Sequence, residues 1–261
     1  MTDIGFDKLR ECAVAAAQAG GKHALDHYAR RTEADHRYAH DLKLRLDVES
    51  QARCEAVIRA AFPAHAIFGE EGGPQDEVDG YRWVIDPIDG TVNFSHGLPL
   101  WCCSVGVQHR GRHVAGAVFL PMLGELYCAS LEHPSACNGR PIRVSDTATL
   151  QEAIVYTGIL RPDEDRGISA RAMDLLAARA QKVRLLGSAA IELCYVACGR
   201  GAGYFETAIH LWDLAAGWLL IEQAGGRCEI LEKVDPICYR FAASNGRIHD
   251  ELRATLREAM R

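Results

Sequence analysis

The chain has 261 residues, 48% of them hydrophobic, enough for one large domain or two lobes of ordinary size. Its formal charge of -6, with no Lys/Arg block longer than a dipeptide, argues against a nucleic-acid surface and suits a site for cations. The apolar runs are far short of the ~20 residues that cross a bilayer, and the start MTDIGFDKLR carries acids where a secretory signal needs an apolar core; no membrane contact and a cytoplasmic setting are expected.

Apolar positions Phe6, Leu9, Ala13, Ala16 and Ala17, continued by Leu25 and Tyr28, predict a long first helix with a bend at Gly20-Gly21. His23 and His27 lie one turn apart on it, a zinc-like spacing, but no third ligand is evident and a solvated helix face is expected. The charged stretch RRTEADHRYAHDLKLRLD reads as an exposed connection with a short strand or hairpin. A second helix should run from about Val48 to Phe62, with Asp47 as its N-cap and Pro63 just past its end.

AIFGEEGG and YRWVID then read as short strands that deliver carboxylates at their ends. WCCSVGVQ, HVAGAVFLP and ELYCAS form an antiparallel meander, and SACNGRPIRVS adds a strand that turns at Asn138-Gly139. After Asp146 the elements alternate: strand AIVYTG, a helix around Ser169 to Ala180, strand KVRLLG, helix SAAIELCYVACG, strand GYFE, helix LAAGWLLIEQAGG, strands RCEIL and CYRFAAS, and a last helix from about His249. Residues 1–146 read as a mixed-sheet α+β lobe and residues 147–261 as an α/β lobe, giving layers of helices and sheets. The ten cysteines are scattered without a C-x-x-C and read as small buried hydrophobes.

The stretch WVIDPIDGTVNF, Trp83 to Phe94, carries the chemistry. D-P-I-D-G is good turn material, because proline presets φ and Asp-Gly tolerates a tight backbone. An aspartyl nucleophile of the D-x-D type would need both acids on one strand face, and the D-x-x-D spacing fails that test. A turn at a strand end can instead aim Asp86, Asp89 and an intervening carbonyl at a hard cation such as Mg²⁺. Gly90 and Thr91 follow with backbone N–H groups at the start of a short helical turn, where a phosphate can dock. Glu70 and Glu71 end another strand, and Asp213 stands at the entrance of a helix, where an acid also suits the helix dipole.

Taken together, GEE, WVIDPIDGTVNF and WDLAAGWLLIEQAGG, in that order and separation, closely resemble the inositol monophosphatase family of Mg²⁺-dependent, lithium-sensitive phosphatases. The resemblance implies the layered αβαβα sandwich of the fructose-1,6-bisphosphatase and inositol monophosphatase fold, and a homodimer. It puts metal ligands on Glu70, Asp86, Asp89, Asp213 and the Ile88 carbonyl, phosphate-binding amides on Gly90 and Thr91, and catalytic roles on Glu70, Thr91 and Asp47. Asp47 would also help to hold a third, weaker metal. Ser188, Ala189 and Glu206 fall on the wall that meets the alcohol part of the substrate.

The chain departs from the family pattern at His36, where relatives carry lysine, and at Leu44, a threonine position; both bear on the third metal and on the loop that closes over it. LEHPSACNGRP also departs, where relatives have Gly-x-Gly-Ala before the Asn-Gly turn. The implied reaction is hydrolysis of a small phosphate monoester, with myo-inositol 1-phosphate foremost. Fructose 1,6-bisphosphate, histidinol phosphate, NADP and 3′-phosphoadenosine 5′-phosphate are alternatives, and a metal-responsive binding protein with weak catalysis is the reading from another class. Two Mg²⁺ ions ~3.5–4 Å apart could activate water, neutralise phosphoryl oxygens and stabilise the leaving alkoxide without any Ser, Cys or His nucleophile.

Overall fold

The computed structural model describes residues 5–37, 42–72, 80–158 and 163–261; the side chains of residues 34–43, the departing His36 among them, and of residues 163–166 lie outside the described set. The first half runs α1 (Phe6–Asp26), β1 (Ala34–Arg37), β2 (Leu42–Leu44), α2 (Arg45–Ala61), β3 (Ala66–Gly69), β4 (Tyr81–Asp89), α3 (Thr91–His96), β5 (Cys102–His109), β6 (Arg112–Leu120), β7 (Glu125–Ser130), β8 (His133–Cys137) and β9 (Arg140–Pro141). The second runs β10 (Ile154–Thr157), α4 (Asp163–Arg179), β11 (Lys182–Arg184), α5 (Ala189–Ala197), β12 (Gly203–His210), α6 (Leu211–Gln223), β13 (Arg227–Lys233), β14 (Cys238–Ser244) and α7 (His249–Ala259).

β3 to β9 form a seven-stranded sheet in chain order, antiparallel except for the parallel β3–β4 pair. The second sheet has the order β11-β10-β12-β14-β13. α1 and α2 cover the outer face of the first sheet, α5 and α6 lie between the sheets, and α4 and α7 cover the outer face of the second. This is the layered αβαβα sandwich expected from the sequence. Three clusters of buried side chains fill the gaps between layers, and the largest joins Phe68 and Val84 of the first sheet to Leu193 and Leu214 of the middle helices and Phe241 of the second sheet.

α1 runs unbroken through Gly20-Gly21, and both glycines sit at close contacts. A Cβ on Gly20 would stand 2.4 Å from the Cys54 sulfur, and one on Gly21 would stand 2.8 Å from Phe119. His23 and His27 are half-buried, correcting the solvated face: His23 Nε2 meets Glu49 at 3.1 Å, and Arg30 also grips that carboxylate. The second helix starts earlier than predicted. Its N-cap is Leu44, and Asp47 sits in the first turn, where its Oδ2 accepts the Leu44 N–H at 2.8 Å. Asp47 still satisfies an orphan donor, from three residues inside the helix.

Glycines also set the height of α6 above the first sheet. Gly106 of β5 faces Gly116 of β6, and α6 rests on the pair through Ala215 and Ala216. A Cβ on Gly106 would lie 2.7 Å from the Ala215 Cβ and 3.0 Å from its carbonyl carbon, so backbone would have to move. Gly106→Ala is therefore expected to cost about 1–3 kcal/mol of stability, as overpacked cores do, and to lift the helix that carries Asp213. Thermal and urea unfolding check this; an unchanged midpoint would contradict the close approach.

Candidate metal centre

β4 explains how two acids three residues apart can share a face. Trp83 and Ile85 pack toward α1 and α2, while Val84 packs toward the middle helices. Asp86, two residues after Val84, follows it to the inner side by the strand period of two. A regular strand would turn Asp89 outward. Instead the register shifts: Asp86 pairs with Ser104 and Asp89 with Cys102, so three steps on β4 match two on β5.

The extra residue is a β-bulge, and it returns Asp89 to the face of Asp86. Pro87 lies within the bulge, where a ladder N–H is not required. The turn expected at D-P-I-D is thus a bulged strand end, which keeps one turn-like bond, the Ile88 N–H donating to Asp86 Oδ1 at 3.1 Å. Gly90 then takes φ +89° and Thr91 opens α3, as predicted for the helical turn; the Thr91 hydroxyl donates to the Ile88 carbonyl at 3.0 Å.

Other elements bring further acids to the same place. β3 runs parallel to β4 with Gly69 beside Ile85, so Glu70, the next residue, is delivered beside Asp86. Asp213 lies in the first turn of α6 and its Oδ2 accepts the His210 N–H at 3.0 Å, the arrangement that Asp47 has in α2. Asp86, Asp89 and Asp213 each offer a carboxylate oxygen within 4.8 Å of the others. Asp47, Asp86 and Asp89 are buried, whereas the side chain of Asp213 keeps 20% of its exposure.

The electrostatics follow from that crowding. Burial pushes the Asp86 carboxyl well above the usual range, and Glu70, Asp89, Asp213 and Asp47 push it further. Burial also raises Asp213, with Asp89 and Glu206 adding to it. Asp89 is raised by burial but pulled back by donors: the Ser188 hydroxyl at 2.6 Å and the Ala190 N–H at 2.7 Å, both on Oδ2. Asp86, Asp89 and Asp213 all offer hard oxygens, and the charges that raise Asp86 are carboxylates. That set fits a divalent cation such as Mg²⁺.

The residues expected on the substrate wall fall into two groups. Ser188 is buried with its hydroxyl engaged by Asp89, and Ala189 opens α5 beside it. Glu206 is buried on β12, takes the Tyr204 hydroxyl, and is pushed up to about 7 by burial. The face of Gly158 lies against Glu206, leaving no room for a Cβ.

Several contributors escaped the sequence reading. Gln51, one turn after Asp47, accepts the Glu71 N–H at 3.0 Å and fills the space where a Gly69 Cβ would stand, so α2 supports the GEE loop directly. The spacing of four from Asp47 on a helix was the available signal. His210 stands 3.8 Å from Asp213 and stacks on Trp212. Asn93, inside the quoted motif, ties α3 to the segment before α5.

Comparison with known proteins places the whole chain in one family. The profile described as the inositol monophosphatase family matches residues 6–261. A Synechocystis inositol-1-monophosphatase is 38% identical over 223 residues, covering 84% of this chain and 77% of the relative. A Nus factor SuhB from Xylella fastidiosa is 39% identical over 183 residues, 69% of this chain and 66% of the relative. Among solved structures, an inositol monophosphatase from Anabaena superposes with a TM-score of 0.84 at 32% identity, covering 98% of this chain and 97% of that one.

Proposed function

The chain belongs to the inositol monophosphatase family of phosphatases, and on that footing we propose that it hydrolyses a small phosphate monoester, foremost myo-inositol 1-phosphate, with Mg²⁺. The observation that carries the proposal is the convergence of Asp86, Asp89 and Asp213, with Glu70 and Asp47 acting on the same point. Bound there, two Mg²⁺ ions, with a weaker third, would supply a water of lowered pKa and positive charge for the phosphoryl oxygens and the leaving alkoxide.

The protein's own groups divide the remaining work. Glu70, Asp86, Asp89, Asp213 and the Ile88 carbonyl are the ligand set. Asp47 and Thr91 orient the attacking water, and the Thr91 hydroxyl, held on the Ile88 carbonyl, is already aimed within the bulge. The Gly90 and Thr91 amides receive the phosphate. Ser188 acts through Asp89, Ala189 lies beside it, and Glu206 faces the alcohol portion of the substrate. The halves 1–146 and 147–261 work as one catalytic unit, since the first supplies the bulge and the second supplies Asp213. A homodimer, lithium sensitivity and a cytoplasmic setting belong to the same reading; among the described residues, no helix is long and apolar enough to cross a membrane.

Phosphate release should require Mg²⁺, fall with added Li⁺, and be fastest on myo-inositol 1-phosphate among that ester, fructose 1,6-bisphosphate, histidinol phosphate, NADP and 3′-phosphoadenosine 5′-phosphate. Glu206→Gln gives a finer check. Loss of one charge-assisted hydrogen bond, about 1.5–3 kcal/mol, should raise KM for the inositol ester roughly 10–100-fold. p-Nitrophenyl phosphate, which has no cyclitol hydroxyl, should change less than about threefold; equal effects on both would remove Glu206 from the substrate wall. Similar proteins named Nus factor SuhB support a second reading, a regulatory binding protein with weak catalysis. Release from none of the five esters would favour it.

A further inference from the structure

One oxygen of Asp89 is occupied before any ligand arrives. Oδ2 accepts the Ser188 hydroxyl and the Ala190 N–H, donors that lie 99 and 101 residues further along the chain. Their aim depends on where the Leu186–Ser188 segment sits: Glu192 Oε1 takes the Leu186 N–H from α5, and Asn93 ties the same segment to the motif. Its Nδ2 donates to the Leu186 carbonyl at 2.7 Å and to the Leu100 carbonyl at 2.7 Å, with the Gly187 carbonyl at 3.3 Å. The two short bonds use both hydrogens of the amide.

The surrounding backbone is shaped to this contact. Gly187 has φ +76°, and a Cβ on it would stand 3.1 Å from Asn93 Nδ2 and 3.2 Å from Oδ1. A Cβ on Gly90 would stand 2.9 Å from the Leu100 carbonyl and 3.2 Å from the Gly187 carbonyl. One amide therefore sets the spacing of three stretches: α3, which follows Asp89; Leu100 to Cys102, whose last residue pairs with Asp89; and the segment that donates to Asp89.

On the reading of Asp89 as a metal ligand, we propose that Asn93 is its positioning residue: by holding Leu186 and Leu100 it aims Ser188 and Ala190 at Oδ2, and so leaves Oδ1 turned to the metal. Partners of ligands commonly change metal affinity 10–100-fold when removed, which sets the expected size.

The test is a double-mutant cycle on the full chain, with Mg²⁺ affinity read by titration calorimetry and Tm recorded for each variant. Asn93→Ala and Ser188→Ala should each weaken Mg²⁺ binding about 10–100-fold, and the double variant should be little weaker than the worse single one, because both act on the same oxygen. Asn93→Asp, with the same shape but an oxygen facing the carbonyls, should also lose affinity. If Asn93→Ala does not fold, Asn93→Ser, which keeps one donor, should bind with intermediate affinity. Wild-type affinity in the folded Asn93 variants, whatever their Tm, or full additivity in the cycle, would overturn the proposal. A wild-type protein that binds no Mg²⁺ would instead overturn the metal reading beneath it.

Discussion

Asp89→Asn is expected to lower kcat/KM for a phosphate monoester by roughly 10³-fold or more while the fold survives. Loss of a ligand's partner already costs about 10–100-fold in affinity or activity, so loss of the ligand's own charge must cost more. The fold survives because asparagine has nearly the same shape and keeps an oxygen for the Ser188 hydroxyl and the Ala190 N–H. It also removes a negative charge that acts on Asp86 and Asp213. The metal-free variant should therefore melt no lower than the wild type in EDTA. Near-normal turnover would contradict the assignment, whereas a collapse of Tm would make Asp89 a structural residue.

A large Mg²⁺-dependent rise in Tm that shrinks in acid is the second expectation. Without cations, Asp86, Asp89 and Asp213 have pKa values raised in the folded state, with burial as the leading cause. Carboxyls raised on folding contribute most below their unfolded pKa near 4, and that contribution is lost as pH climbs through the folded values. Mg²⁺ bound at the cluster would take the place of the missing protons at neutral pH. At a concentration a hundredfold above Kd it would add ~2.7 kcal/mol, and at about 2–4 °C per kcal/mol for a chain near this size the rise is roughly 5–10 °C.

The increment should be largest at pH 8 and smaller at pH 6, where protons compete for the same oxygens. Half-buried His113, pushed down to about 4, works in the opposite direction, since it loses stability as pH falls below its unfolded pKa. Taking the difference with and without Mg²⁺ at each pH cancels that contribution. An increment that did not change between pH 8 and 6 would contradict proton competition at the cluster.

Most of the architecture could be read in the sequence because it is written in periodicity. Leu9, Ala13 and Ala16 marked α1, and the alternation through VGVQ and AGAVF marked the meander. The site was harder, for physical reasons. D-x-x-D looks like a turn, and on a regular strand its acids would part; only pairing with Ser104 and Cys102 shows the bulge that reunites them. Asp47 looked like an N-cap because it is a capping-type residue just before the expected start at Val48, yet the helix begins behind it at Arg45.

Contacts across long separations left no local trace. The family resemblance led Ser188 to be expected on the substrate wall, whereas its bond to Asp89 spans 99 residues. Asn93 lay in plain view within DGTVNF and had no assigned work, because its acceptors are the carbonyls of Leu100 and Leu186. The glycines behaved alike: Gly20 and Gly106 look like helix and strand breakers, and only the neighbours of their missing Cβ atoms give the reason for them.

Crystals grown with Mn²⁺ in place of Mg²⁺ and recorded at the manganese edge would show the cation directly. A metal centre built on the bulge predicts an anomalous peak at bonding distance, about 2.1 Å, from oxygens of Asp86, Asp89 and Asp213. Mn²⁺ found only elsewhere on the protein, with these carboxylates free of it, would contradict a metal-dependent reaction at this site.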